Sequence, residues 1–313
     1  MKAIMHKKEK SGKEFICSTF NNSRELVTIY HDSHGIYQQH WQTGNVEYKT
    51  RDEAIKDKFN ESEYELSNIE VGHVIDSVWR PGLCLDIPKA LNIQETEKNR
   101  AKKDLKILIE KLHNILLYVE PDENGLKTYS HKIRELLILA STEIENTWTY
   151  YFRIAGNQSD RLNTNDYVKL CDKLRLQEYK VTFISHPISI ELQPFLNWTE
   201  LKPTNSIPWY NAYNKTKHNK SEAFSEAKLK YCLDAIAANI TMLAVRYSPY
   251  EILEKNDICS NLIKENFEIE IIEPKLDSFY IPLIKSVEMA SGAFSGPKGS
   301  NFESEWIIDP FSI

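Results

Sequence analysis

Histidine 218 closes the most chemically loaded stretch of the chain. Pro208-Trp209-Tyr210-Asn211-Ala212-Tyr213-Asn214-Lys215-Thr216-Lys217-His218-Asn219-Lys220 packs two Tyr, one Trp, three Asn, three Lys and a His into thirteen residues. On a helix, Asn214 and His218 stand four apart on one face, with Lys215 three residues before the imidazole. That set suits phosphodiester chemistry. The His218 imidazole moves a proton near neutral pH, with Asn214 beside it. Lys215, Lys217 and Lys220 offer charge to phosphate. Trp209 and Tyr213 offer rings on which unpaired bases stack. A plainer arrangement fits the same residues: Trp209 and Tyr213 pack into a core, the lysines are solvated, and His218 bonds locally.

Two groups upstream are candidates to complete such a site. Glu143 and Glu145 sit on a preceding helix. Positions 137, 141 and 145 run beside its apolar stripe, so Glu145 is a candidate for a semi-buried catalytic role opposite His218; its alternative is a solvated carboxylate. Arg134 lies on the same helix and carries a guanidinium, about 16 Å of helix away from Glu145. His31, His34 and His40, near Asp32, match no metal-ligand spacing, so no metal site is expected there. Cys17, Cys84, Cys171, Cys232 and Cys259 are odd in number, widely spaced and never in a C-x-x-C pair, which is neither a zinc pattern nor a disulfide framework. No P-loop, Rossmann fingerprint or G-x-S-x-G elbow occurs, and no cofactor is expected.

The elements that position these groups are mostly helices. Leu105, Leu108, Ile109, Leu112, Ile115 and Leu116 mark one face of a helix over 93–119. Its Lys-rich first half, including Lys102, Lys103 and Lys106, is expected to face solvent. Ser130 caps a second long helix to Ile154, with Ile133, Leu136, Leu137, Ala140, Ile144, Trp148 and Tyr151 buried and Gly156 as the stop. Asn165 or Thr164 caps a third. Residues 179–207 read as extended, with a hairpin, then a loop. Pro208 suits the first turn of a helix ending near His218. A fourth long helix is expected from Ser221 to Tyr247. Before all this, residues 1–92 read as a small α+β region, with strands at 14–20, 25–31 and 36–41 and a short helix at 50–59. After it, 249–313 reads as a partly disordered extension with one strand at 267–272.

Composition agrees with a mainly α protein. Among 313 residues there are 10 Gly, under half the usual share of about 7%, which disfavours Gly-rich phosphate loops and turn-dense barrels. Lys and Arg number 39 against 45 Asp and Glu, a net charge of −6. A coat of generic nucleic-acid-binding charge is thereby excluded, although a local basic patch is not. The start lacks a signal-peptide core and the longest apolar run, Ala235–Val245, is too short to span a bilayer. A soluble, cytoplasmic protein with no membrane partner is expected.

Three strings carry a family resemblance: Tyr167-Val168-Lys169-Leu170, then Pro194-Phe195-Leu196-Asn197-Trp198, then Trp209 to His218 with Phe224-Ser225-Glu226-Ala227 behind it. The Ala-Tyr-Asn-Lys-x-Lys-His core, with the acidic-polar helix 134–145 upstream, resembles the HEPN superfamily of helical domains in prokaryotic toxins, CRISPR-associated nucleases and phage-defence proteins. It is most similar to an uncharacterised bacterial HEPN-like branch. The resemblance covers residues 93–248 and implies a bundle of four to five helices, a homodimer and RNA as partner. Active members are metal-independent endoribonucleases that pair an Arg with a His, with four to six residues between them. The matching positions here hold Asn211, Ala212 and Tyr213, so the Arg is absent from its usual place. Two readings follow: an RNA-binding protein that cuts RNA in a toxin or phage-defence setting, or a catalytically inactive dimerisation scaffold with a protein partner.

Overall fold

The structure, a computed structural model, describes residues 72–83, 86–159, 161–185, 188–253, 257–272, 274–280 and 304–313, together with the strands at 2–8, 14–21, 24–31, 37–41, 65–70, 283–284 and 294–295. Two compact units divide the chain: Met1–Asn92 with Glu273–Asp309, and Ile93–Ile272 with Pro310–Ile313.

The first unit opens with β1 (Lys2–Lys8), β2 (Glu14–Asn21), β3 (Arg24–His31), β4 (Tyr37–Trp41) and β5 (Glu65–Glu70), in the sheet order β4-β3-β2-β1-β5. All their pairings are antiparallel. The expected helix at 50–59 and residues His34 and Asp32 lie outside the described residues, as do the side chains of His31 and His40. A short β6 (His73–Ile75) follows, and a one-turn helix α1 (Ile87–Ala90) closes this part. Gly82 adopts a φ of +100°, and a Cβ there would stand 1.6 Å from the Tyr280 carbonyl oxygen. The turn is pressed on that backbone by the Tyr280 N–H bond to the Pro81 carbonyl, 2.8 Å long.

The second unit is helical. Its long helices are α2 (Glu95–Leu116) and α3 (His131–Ile154). The Ser130 hydroxyl accepts the Ile133 N–H at 3.2 Å, the N-cap that its sequence position announces. At the other end Gly156, at φ +83°, donates to Arg153 while Asn157 donates to Phe152, a Schellman stop. Two single turns, α4 (Thr164–Tyr167) and α5 (Leu170–Lys173), come next. The cap is Asn163 rather than Asn165 or Thr164, boxed with Asp166. The hairpin is β7 (Tyr179–Ser185) with β8 (Ile188–Leu192).

Helix α6 (Pro208–His218) begins on its proline. The expected long helix from Ser221 is broken. A turn α7 (Lys220–Ala223) and a 3-10 turn precede α8 (Leu229–Tyr247), because the backbone at Lys228 bridges to Tyr129 and the Leu229 N–H bonds the Thr128 carbonyl. Helix α8 is buried on nearly every side, the mark of a central helix. It packs on α2, α3 and α6. Asn239 donates from it to the Ala140 carbonyl of α3 at 2.9 Å.

The segment after Tyr247 holds the strand expected at 267–272 and adds two helices before it. It forms α9 (Pro249–Leu253), α10 (Ile258–Asn266) and β9 (Phe267–Ile271), and β9 pairs antiparallel with β7. Most of the first half of α2 faces solvent as expected, Glu95, Glu97, Arg100 and Lys103 among its exposed residues, but two of its lysines do not. Lys98 and Lys102 are 1% and 4% exposed. The Lys98 ammonium donates to Glu95 at 2.7 Å and Glu251 at 2.6 Å. Lys102 is held by Asp257 and by the Ser260 hydroxyl. Of the expected lysine face, Lys103 is exposed and Lys106 half-buried, the latter pairing with Glu110 at 3.5 Å. The chain then returns to the first unit with β10 (Leu283–Ile284), β11 (Phe294–Ser295) beside β4, β12 (Ser304–Glu305) and β13 (Ile307–Asp309), which runs parallel to β6. Phe311 is buried edge-on against Tyr151, ring centres 5.1 Å apart.

Candidate functional site

Helices α3 and α6 pack together, and their polar side chains meet at two places. At the first, the Glu145 carboxylate accepts the Tyr210 hydroxyl at 2.5 Å and the Tyr213 hydroxyl at 2.9 Å. The Lys217 ammonium donates to the Tyr213 oxygen at 2.7 Å and stands 3.7 Å from Glu145. Residues 210, 213 and 217 recur at helical spacing, so one stripe of α6 delivers all three groups. Burial, reinforced by Glu145, pushes the Tyr210 hydroxyl far above its usual range. Burial also raises Tyr213. The bond to Tyr213 raises Lys217, against its partial burial. All three stay protonated around neutral pH; the two hydroxyls donate into one carboxylate, and Lys217 donates to Tyr213 beside it. The arrangement holds protons and fixes orientation; it is not built to release a nucleophile.

At the second place, Arg134 reaches from the first turn of α3 to the C-terminal turn of α6. Its Nη2 and Nε donate to the Thr216 carbonyl at 2.7 and 3.3 Å. A cation suits that end of a helix, where carbonyls lack partners. His218 ends the same helix two residues on and is exposed. Lys215 and Lys217 are exposed beside it, and Asn214 is half-buried. Lys220 has no described side chain.

The structure therefore divides the residues expected to act together. His218, Asn214 and Lys215 lie on the outer part of α6, whose C-terminal turn Arg134 reaches from α3, while Lys217 joins the Glu145 cluster. Glu145 does not meet His218; the two tyrosines and Lys217 surround it instead. Trp209 and Tyr213 are corrected as base-stacking surfaces, because their residues are only 1% and 0% exposed. Trp209 donates its indole N–H to the Pro194 carbonyl at 2.9 Å. Its ring lies in a cluster about Trp148 with Tyr167, Phe195, Trp198 and Tyr210, in which Trp148 stacks on Trp198 at 4.8 Å. Tyr167, Phe195, Trp198 and Trp209, drawn from all three sequence strings, are thus the packing of one core, while Phe224 packs on Tyr129 and His131. Tyr210 was missed as Glu145's partner; its signal was the 210, 213, 217 spacing.

Other chemistry is sparse. Burial pushes the Cys171 thiol up to about 12 and the Cys259 thiol to about 11, so neither is a thiolate near neutral pH. Among the described residues, no group of three His, Cys, Asp or Glu is placed to hold a metal ion, and no helix is long and apolar enough to cross a membrane. Comparison with protein-family models, characterised proteins and solved structures finds no match to this chain.

Proposed function

We propose that the helical unit is a HEPN-like RNA-binding module that cleaves RNA without a metal, as a homodimer in a cytoplasmic toxin or phage-defence system. One observation carries this reading: the Arg134 guanidinium is brought to the end of α6 that presents the exposed His218. The positions 211–213 lack an arginine, and Arg134 supplies one from the neighbouring helix. In this scheme Arg134 stabilises charge on the phosphorane, and His218 takes the proton of the attacking 2′-hydroxyl. Lys215 and Lys217 contact neighbouring phosphates, and Asn214 orients the imidazole. The Glu145–Tyr210–Tyr213 network holds Lys217 and the α3–α6 spacing rather than touching RNA.

The pure protein incubated with single-stranded RNA and tRNA in EDTA tests the scheme. His218→Ala is expected to lower the cleavage rate by roughly 10²–10⁴-fold, the range of one general acid–base group. Arg134→Lys keeps the charge but loses the two-pronged geometry, and is expected to slow cleavage without unfolding the protein. Absence of cleavage, or cleavage indifferent to His218→Ala, removes the enzymatic reading. The inert scaffold is the second reading. It is favoured by the closure of the motif around Glu145, where each hydroxyl and ammonium already has a protein partner.

A further inference from the structure

A separate cleft opens among α2, α3 and α8, on residues the RNA reading does not use. It has a volume of about 360 Å³, at the small end of the range of ligand pockets. Asp104 of α2 and Glu143 of α3 both line it and are half-buried. Neither carboxylate has a cationic partner among the described residues. Among the described residues, the one bond to the Glu143 carboxylate is a long 3.5 Å contact from Asn146. Burial, with Asp104 adding to it, pushes the Glu143 carboxyl above its usual range.

The wall between them adds an acceptor of a different kind. Asn239 lines the cleft and is 5% exposed. Its amide nitrogen is committed twice, to the Ala140 carbonyl at 2.9 Å and the Ala235 carbonyl at 2.8 Å. That fixes which end of the amide is nitrogen and leaves the oxygen with no donor among the described residues. That oxygen is reached from the cleft and is free to accept a bond from a ligand. The cleft's cations do not fill this need. Arg246 is spent on Glu97 at 2.6 Å and lies flat over the Tyr150 ring at 3.5 Å, while Arg100 is exposed at the rim. Leu105 and Leu243 give the cleft an apolar side.

Two carboxylates without a cationic partner, an amide oxygen with no protein donor among the described residues and an aliphatic side define one ligand chemistry. We propose that this cleft binds a small organic cation, an alkyl amine or alkyl guanidine. Its charged head sits between Asp104 and Glu143 and donates to Asn239, and its carbon chain lies against Leu105 and Leu243. Phosphate and carboxylate ligands are repelled by the same pair of carboxylates.

Calorimetric titration of the full chain tests this with putrescine and agmatine, against 1,4-butanediol and succinate at equal ionic strength. Saturable binding of an amine, and not of the diol or the diacid, is expected. Glu143→Gln and Asp104→Asn are each expected to weaken it by about tenfold or more, the scale of a lost charge-assisted bond. Both side chains are part-exposed, so the amides are tolerated, and matching far-UV spectra and urea midpoints establish that the variants fold. His218→Ala is expected to bind the amine unchanged, which separates this site from the RNA reading. No saturable amine binding, equal binding of the diol, or undiminished affinity in both carboxylate variants overturns the proposal.

Discussion

A single ionisable side chain can set the pH response of a buried helix, and Asp234 is placed to do so. It lies on the central helix α8, half-buried, and its one named charged neighbour is Lys230 a turn away. Burial outweighs that lysine and lifts the carboxyl from 3.8 to about 7. The folded state then resists ionisation more than the unfolded chain does. Below pH 4 both states are protonated and the group is neutral to stability. Between about 4 and 7 the unfolded chain loses its proton first, so stability falls as pH rises, and above 7 the penalty is complete. Allowing for partial solvent access, it amounts to roughly 2–3 kcal/mol. Asp234→Asn is therefore expected to raise the urea midpoint at pH 8, leave it nearly unchanged at pH 4, and flatten the slope between. Identical slopes for the two proteins would show that the carboxyl titrates normally. The same scale shows why His218 remains the strongest catalytic candidate: its ring is exposed, whereas Trp209 and Tyr213 beside it are sealed in the core.

At the scale of elements, helix ends fixed by their own neighbours were legible and those fixed from afar were not. Ser130 and Gly156 bracket α3 by bonds that reach three to five residues, so both ends can be read along the sequence. Pro208 does the same for the start of α6. The start of α8 is set instead by a bridge from Lys228 to Tyr129, about a hundred residues away, and the apolar periodicity from Phe224 onward gave no sign of it. The lysines of α2 failed for the same reason. Nothing in the local pattern reveals that Glu251 and Asp257, more than 150 residues on, cover Lys98 and Lys102. The local ends yield a direct expectation. Ser130→Ala should cost about 1 kcal/mol in denaturant unfolding, while Ser130→Asp, another good cap, should cost little. Because Arg134 stands one turn inside that cap, fraying from Ser130→Ala should also weaken its grip on Thr216. Under the proposed function, a loss of RNA cleavage exceeding the loss of folded protein would register that coupling.

At the scale of the molecule, the span suggested by the family resemblance, 93–248, is shorter than the body that packs. The motif strings located the core around Trp148 and the exposed end of α6, since those residues lie within the span. They carried no sign of the closing segment 249–272, whose role is defined only by what it covers. That segment supplies the third strand, against β7, and buries Ile263, Phe267, Ile269 and Ile271, each 7% exposed or less. Burial of four such side chains is worth on the order of 6–12 kcal/mol as an upper bound. That is comparable to the entire stability of a typical domain, about 5–15 kcal/mol. A fragment of residues 93–272 keeps the second unit apart from its last four residues, loses the edge contact of Phe311 on Tyr151, and should unfold cooperatively in urea with an ordered near-UV spectrum. A fragment of residues 93–248 exposes the edge of β7 and strips Lys98 and Lys102 of Glu251 and Asp257. It should keep helical far-UV signal, lose the near-UV signal, bind a hydrophobic dye and show no sharp transition. Equal urea midpoints for the two fragments would mean that the four-helix core is self-sufficient and that residues 249–272 merely decorate it.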